Sequence, residues 1–412
     1  MARNHRSASH SELTLARKAR SIGSSMEPAA PNPSASRPPP LPIATVSPAT
    51  LNPTIRALLI AAASLTALFV GLIMLVLLGF STGLLGLLGG IVLALLPLPF
   101  YMLLALWIDR FEKEPVWMLA TAFVWGATVA VFLAFILNTL FGALVAASFE
   151  GYATFATATI SAPLIEELGK GLALVIFYFW QRDEFDNVLD GILYAAMVGL
   201  GFAMTENILY YGKAIAAGGG ESVFTFILRG IVSPFAHPFF TSMTGIGLGL
   251  ARQSAQGSPM KFLAPAVGLC FAMALHCLWN FTAGFGPLFL VTYILIMVPA
   301  FLGLLVFIAF SLRKEGRIVR EYLVPELQSG LVDAKGYEAL CTVRGRLDES
   351  FRAFGRGGFG TWRARTEFHM LASELAFHRW RMARGILPRS VTPAAREASF
   401  LQRLQTLKSR LG

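Results

Sequence analysis

Three ionisable residues lie within five positions of an apolar segment that is long enough to cross a bilayer. Glu166, Glu167 and Lys170 fall inside the segment 155–180. An ionisable side chain at the centre of a membrane costs at least about 2.5–3.5 kcal/mol on insertion-based scales, so such residues are rare and usually functional. Buried carboxylates activate water as general bases or bind metal ions. The segment therefore indicates acid–base or metal chemistry below the lipid surface.

Helical spacing determines how these three side chains face one another. Residues i and i+4 share a helix face, whereas adjacent residues diverge by about 100°. Glu166 and Lys170 therefore lie on one face, and Lys170 still reaches Glu167 at i+3. One carboxylate is then held ionised by Lys170 while the other meets a reacting water, and the spacing leaves open which is which. A structural ion pair that locks helices together is the alternative.

Three further apolar segments carry polar residues of the same kinds. They contain Glu206, His237, and His276 with Asn280 one turn later. A single intramembrane histidine often does no more than bond two helices together. An imidazole and an amide one turn apart can, however, stabilise an oxyanion. The set that predicts one shared catalytic site is Glu166, Glu167, Lys170, Glu206, His237, His276 and Asn280.

Composition places the chain among polytopic membrane proteins. Hydrophobic residues make up 55% of it and charged residues 14%, with a mean hydropathy of +0.62. Soluble domains carry about 25% charged residues. Eight apolar stretches reach the roughly 20 residues that a spanning helix needs. They lie near 57–80, 83–108, 117–145, 155–180, 188–211, 223–250, 262–284 and 287–312. We expect an all-α polytopic membrane protein with about eight transmembrane helices and a helical cytoplasmic C-terminal tail.

Charge and composition divide the chain into three regions. Residues 1–56 are rich in Ser, Pro and Ala and are predicted to be disordered, residues 57–312 form the transmembrane domain, and residues 313–412 form a basic helical tail. Basic ends around an apolar middle predict a multi-pass protein of the cell membrane with both termini in the cytoplasm. They indicate contact with anionic lipid rather than nucleic acid, because no nucleic-acid-binding motif accompanies them. In the tail, His369 and His378 are expected at the surface.

The polar strings resemble those of the PrsW family of intramembrane proteases, a distant branch of the clan that contains the type II CAAX prenyl endopeptidases. The similar strings, each in its own predicted span, are Glu166-Glu167-x-x-Lys170, Phe202-x-x-x-Glu206-Asn207, His237-x-x-x-Thr241 and His276-x-x-Trp279-Asn280. The CAAX branch has Glu-x-x-x-Arg instead of Glu-x-x-Lys, and a histidine where Glu206 stands. The resemblance implies cleavage of membrane-anchored protein substrates near the bilayer surface, and the family is associated with cleavage of anti-sigma factors.

Two mechanisms are compatible with this resemblance. In the first, a zinc ion lowers the pKa of its water. The ligands of that ion are Glu167 (or Glu166), Glu206, His237 and His276. In the second, no metal takes part: a glutamate and His237 activate water, and His276 with Asn280 stabilises the oxyanion. The sequence has no His-Glu-x-x-His string to decide between them. Outside the protease class, the alternative is an ion- or proton-coupled transporter that uses the same buried residues as a relay.

Overall fold

The protein is helical throughout the part of the chain that the structure describes. The computed structural model describes residues 53–182, 184–218, 220–384 and 392–411, and these contain helices and no strand. The segment 1–56, for which disorder is predicted, lies outside the described residues except at its end, where the first helix begins at Pro53. The prediction of an all-α polytopic membrane protein is confirmed.

Twelve helices make up the apolar part of the described chain. They are α1 (Pro53–Leu95), α2 (Leu98–Leu106), α3 (Val116–Trp125), α4 (Val131–Phe149), α5 (Ala153–Ala156), α6 (Ala162–Trp180), α7 (Val188–Ala217), α8 (Glu221–Phe226), α9 (Ala236–Gln253), α10 (Met260–Ala283), α11 (Pro287–Thr292) and α12 (Val298–Tyr322). Turns of π-helix follow α3, α5, α8 and α11, at Gly126–Ala130, Thr157–Ser161, Ile227–Val232 and Tyr293–Met297. Such turns are frequent at functional sites.

Within the described residues, six helical rods are long and apolar enough to cross a membrane. They are Ala61–Leu106, Val116–Phe149, Val188–Ala217, Glu221–Gln253, Met260–Ala283 and Pro287–Tyr322. The sequence predicts eight spans, and the difference has two physical causes. The 46 residues of the first rod, about 69 Å if straight, are twice what a bilayer core needs, and the rod bends at Gly83, where φ is 70°. The helix α6 is not among the six, because it carries the charged residues Glu166, Glu167 and Lys170. The number eight stays a prediction.

The central helix of the membrane domain is α7. Of its most apolar stretch, 94% is buried, against 11–28% for the other five rods. It packs backbone to backbone against α9, since a Cβ on Gly191 would lie 2.2 Å from the carbonyl oxygen of Gly245. A Cβ on Gly245 would lie 2.1 Å from the carbonyl oxygen of Gly191. Small residues commonly allow such approach between helices in membranes. The glycine contact fixes the spacing of two helices that each carry a predicted site residue.

Local hydrogen bonds fix the starts of α3 and α7. The side chain of Asn187 accepts from the backbone N–H of Asp190, and the side chain of Asp190 accepts from the backbone N–H of Asn187, which is a capping box. Both carboxylate oxygens of Asp109 accept from the backbone N–H of Glu114 at 3.1 Å. Burial raises the pKa of Asp109 to about 7. The hydroxyl of Tyr194 donates to Glu114, so the loop before α3 is bonded to α7.

The basic tail folds into four helices, α13 (Val324–Gln328), α14 (Ala334–Leu340), α15 (Val343–Ala383) and α16 (Pro393–Leu411). The helix α15 breaks at Gly358, where φ is 65°. Its two halves run antiparallel, because Glu349 in the first half lies 3.0 Å from His369 in the second. His369 and His378 are both buried. Their predicted surface position is wrong, because the hairpin covers His369 and the start of α16 covers His378.

Two arginines fasten the tail to the membrane domain. The buried Arg346 donates from Nη1 to the carbonyl oxygen of Arg110 at 3.0 Å. Arg381 forms ion pairs with Asp186, at 2.9 Å, and with Glu112. These partners lie in the loops before α3 and before α7, so the tail is held at one end of the helix bundle.

We expect Gly245→Val to lower the stability of the folded protein by about 1–3 kcal/mol or more, because the added side chain would collide with backbone that cannot move aside. The matched control is Gly303→Val on α12, where a Cβ meets nothing within 4 Å. Both changes put the same β-branched residue in a helix. Thermal unfolding in detergent should separate the two variants clearly, and equal shifts would contradict the close α7–α9 contact.

Candidate active site

Six of the seven residues that the sequence predicts for the site lie together. They are Glu166, Glu167 and Lys170 on α6, Glu206 on α7, His237 on α9 and His276 on α10. The seventh, Asn280, is one turn from His276, but its amide nitrogen donates to the carbonyl oxygen of Ala158 at 2.9 Å. That carbonyl belongs to a π-helical turn, where backbone groups leave their regular partners. Asn280 therefore bonds α10 to the segment that leads into α6.

Glu167 is completely buried, and both of its carboxylate oxygens are engaged. The Oε1 atom lies 2.5 Å from Nζ of Lys170 and 3.0 Å from Nδ1 of His276. The Oε2 atom accepts a hydrogen bond from the hydroxyl of Thr241 at 3.0 Å. Glu167 thus connects α6 to α9 and α10. It also fixes the ring of His276, whose Nε2 is left for other contacts.

Glu166 has a different environment, although it is the neighbouring residue. Its Oε2 atom lies 3.8 Å from Nε2 of His276 and 3.9 Å from Nζ of Lys170, distances too long for hydrogen bonds. This atom is buried and has no hydrogen-bond partner among the described residues. A buried polar atom without a partner costs about 1–3 kcal/mol, more when charged, and such atoms are rare in native proteins.

The free carboxylate oxygen lies beside two histidines. Glu166, His237 and His276 each offer one atom that could bind a metal, and these atoms all lie within 4.8 Å of one another. All three residues are less than a tenth exposed. This is the donor set that zinc accepts, with imidazole nitrogens and a carboxylate oxygen.

His237 is bonded through both ring nitrogens. Its Nδ1 lies 3.1 Å from Nζ of Lys170, and its Nε2 lies 2.8 Å from Oε2 of Glu206. A lysine ammonium can only donate hydrogen bonds, so Nδ1 accepts and Nε2 donates its proton to Glu206. This network assigns the neutral tautomer of His237 with the proton on Nε2.

Arg229 belongs to the site, although the sequence analysis did not include it. It forms an ion pair with Glu206, and its Nε donates to the side-chain oxygen of Asn207 at 2.7 Å. It lies in the π-helical turn Ile227–Val232. The signal was present in the sequence, because an arginine inside the predicted span 223–250 is an ionisable intramembrane residue like the others.

Aromatic rings cover two of the polar groups. Nζ of Lys170 lies 4.3 Å from the ring centroid of Phe202, a cation–π contact. The ring of Phe240 stacks on that of His276, with centroids 5.0 Å apart and planes 23° from parallel. These rings exclude solvent, and electrostatic interactions become stronger where water is excluded.

The described helices form a polytopic membrane fold around a cluster of Glu, His and Lys side chains, which is the arrangement that the resemblance predicts for an intramembrane protease. A family model described as PrsW family intramembrane metalloprotease matches residues 114–304. The chain belongs to the PrsW family of intramembrane proteases, and the transporter alternative is not favoured.

Three curated relatives illustrate the similarity, and each is named Protease PrsW. The one from Bacillus subtilis (strain 168) is 31% identical over 173 residues, which cover 42% of this chain and 72% of that protein. The one from Oceanobacillus iheyensis is 29% identical over 206 residues, 49% of this chain and 84% of the relative. The one from Geobacillus kaustophilus is 35% identical over 144 residues, 35% of this chain, and the match spans only 58% of that relative. No solved structure matches the chain.

We expect Arg229→Met to destabilise the protein by up to about 3–5 kcal/mol, because it leaves the carboxylate of Glu206 largely buried without its cationic partner. Glu206→Gln alone should cost a similar amount, whereas the double variant should recover much of the loss. Chemical unfolding of the two single variants and the double variant gives the coupling energy. Strictly additive losses would mean that the two side chains do not depend on each other.

Proposed function

We propose that this protein is an intramembrane endopeptidase that hydrolyses peptide bonds of membrane-anchored proteins, with Glu166 as the residue that acts on the hydrolytic water. The observation that carries the proposal is the buried Oε2 atom of Glu166, which has no hydrogen-bond partner and lies beside His237 and His276. A carboxylate oxygen kept free at this cost is available for water or a metal ion. A carboxylate that only held helices together would have both oxygens bonded, as Glu167 does.

The two adjacent glutamates then have different roles. Glu167 is a positioning residue, because its contacts hold the ammonium group of Lys170 and the ring of His276 in place. Glu166 faces the same two groups without bonding them, so in a site without metal it can accept a proton from water as a general base. The charge of Lys170 lies close enough to stabilise negative charge that develops in the transition state. The sequence left open which glutamate acts on water, and this geometry favours Glu166.

The donor set fits a divalent metal, and zinc is the ion that we propose. The ligands would be Glu166, His237 and His276 rather than Glu167 or Glu206. Glu167 is fully engaged by its neighbours, and Glu206 is paired with Arg229. When bound, zinc supplies Lewis acidity and a hydrolytic nucleophile at neutral pH.

The hydrogen bonds that the ring nitrogens of the two histidines make to neighbouring side chains support this assignment. Glu167 accepts from Nδ1 of His276, the carboxylate–histidine arrangement that commonly orients a ligand ring toward a metal. His237 would give up one of its two present contacts, to Lys170 or to Glu206, in order to bind an ion. In the mechanism without metal, the same two contacts keep His237 neutral and fixed beside Glu166.

The substrate is proposed by class only. The site lies within the apolar part of the chain, so its substrate is a protein segment held in or at the bilayer. Anti-sigma factors are the substrates expected from the family resemblance, and no feature of the described residues selects them. For the topology, we propose that both termini are cytoplasmic, since residues 313–412 carry nineteen basic residues against ten acidic ones.

We expect Glu166→Gln to lower the rate of substrate cleavage by at least about 10²-fold, because the neutral amide can neither accept a proton from water nor bind a metal ion as a carboxylate does. The assay is co-expression with single-span membrane proteins that carry tags on both sides of the bilayer. The matched control is Glu321→Gln, which changes an exposed glutamate at the end of α12. Both variants should still capture the uncut substrate. A Glu166→Gln variant that cleaves as fast as the wild type would contradict the role given to Glu166.

We expect about one zinc ion for each chain in the purified protein, measured by inductively coupled plasma mass spectrometry. Glu166→Gln, His237→Ala and His276→Ala should each lose this zinc. Glu206→Gln should retain it, because Glu206 is not among the three proposed ligands. Zinc that survives in Glu166→Gln and disappears in Glu206→Gln would support the other ligand set. If the purified protein contains no metal and its cleavage activity is insensitive to chelators, the mechanism without metal would be supported instead.

A further inference from the structure

The turn of the α15 hairpin exposes large apolar side chains. Phe351, Phe354 and Phe359 are 70%, 54% and 65% exposed. Most other large apolar residues of the tail are buried between the hairpin, α12 and α16. They include Phe368, Leu371, Leu375, Phe377, Phe400 and Leu404. Single exposed aromatic residues are ordinary, but a cluster of three at one turn marks an interaction surface.

Arginines lie between and beside these rings. Arg352, Arg356 and Arg363 are exposed, and none of them forms an ion pair with another described residue. The nearby carboxylate of Glu349 bonds His369 at 3.0 Å, although the charge of Arg352 is close enough to help lower the pKa of Glu349. The turn therefore combines exposed rings with cationic groups that form no ion pair with a described carboxylate. We call residues 351–363 the hairpin tip.

The other end of the hairpin is held at the membrane domain. Arg346 donates to the carbonyl oxygen of Arg110, and its guanidinium lies 4.2 Å from the ring centroid of Phe111. From Val343 to the break at Gly357, the first half of the hairpin rises about 21 Å. The hairpin tip is thus tethered within that distance of a loop that directly connects two apolar helices. Tethering raises the effective concentration of a surface at its partner, so even weak contacts suffice.

We propose that the hairpin tip docks onto the anionic phospholipid surface of the membrane in which the protein is embedded. Phenylalanine rings between arginines are the composition that binds at a lipid interface. The rings enter the boundary between headgroups and acyl chains, and the guanidinium groups bond lipid phosphates. Each basic residue near an anionic leaflet changes the equilibrium constant for docking by about fivefold, so the three arginines together control docking.

The test uses the full chain in nanodiscs, made from phosphatidylcholine alone or from phosphatidylcholine with phosphatidylglycerol. The three native cysteines, Cys270, Cys277 and Cys341, are replaced by alanine. An environment-sensitive fluorophore is attached at Gly355→Cys, where an added Cβ meets nothing within 4 Å. A second protein carries the fluorophore at Gln405→Cys, an exposed position on α16. Quenching by lipids with brominated acyl chains reports whether each probe touches the bilayer.

We expect blue-shifted, quenched emission at position 355 only in nanodiscs with phosphatidylglycerol, and none at position 405. Arg352→Gln with Arg356→Gln should reduce the equilibrium constant for docking by about 20-fold or more, and high salt should also weaken docking. The matched control is Lys335→Gln with Arg410→Gln, which removes two exposed charges elsewhere in the tail and should leave the signal unchanged.

Several results would overturn the proposal. One is a probe at position 355 that stays in water in both lipid mixtures. Another is equal quenching of the two probes, which would show a general approach of the tail to lipid. A third is a response to added oligonucleotide without a response to anionic lipid, which would make the hairpin tip a nucleic-acid-binding surface.

Discussion

The buried ion pair between Lys170 and Glu167 is the interaction on which the membrane domain depends. Both side chains are fully buried, and their charged atoms are 2.5 Å apart. Through Lys170 the pair reaches His237 on α9 and Phe202 on α7, and through Glu167 it reaches His276 on α10. Removing one partner of a buried pair leaves an uncompensated charge, so four helices share a strong electrostatic constraint. Their relative positions follow from it.

Charge balance also explains why the site contains so many polar residues. Glu206 is another carboxylate of the site, with a side chain that is 20% exposed, and it is compensated by Arg229 from a π-helical turn. His237 lies between the two ion pairs and bonds one member of each. Glu166 is the remaining carboxylate, and its Oε2 atom forms no hydrogen bond with any described residue. The site therefore consists of two compensated pairs, a fixed pair of imidazoles and one available acceptor.

Much of this site could be predicted from the chain, because intramembrane charge is itself informative. Helical periodicity correctly placed Lys170 within reach of Glu167, and the shared chemistry of four segments brought six side chains together. The separation of roles between Glu166 and Glu167 could not be predicted, since it depends on Thr241 and His276 from other helices. The hydrogen bond of Asn280 could not be predicted for a related reason, because a π-helical turn offers it a carbonyl that no sequence pattern reveals.

The fold, like the site, could be predicted from the sequence only in part. Apolar stretches identified the helices, and the predicted boundary between 57–80 and 83–108 coincides with the bend of the first rod at Gly83. In the tail, helices were predicted, while the burial of His369 depends on the antiparallel helix of the hairpin that packs against it.

The double ion pair of Arg381 stiffens one end of the helix bundle. Its partners, Glu112 and Asp186, precede α3 and α7, so those two helices cannot separate at that end without breaking at least one of the two pairs. The tail therefore acts as a clamp on the N-terminal ends of these helices, and any motion that parts them there requires Arg381 to release a carboxylate first.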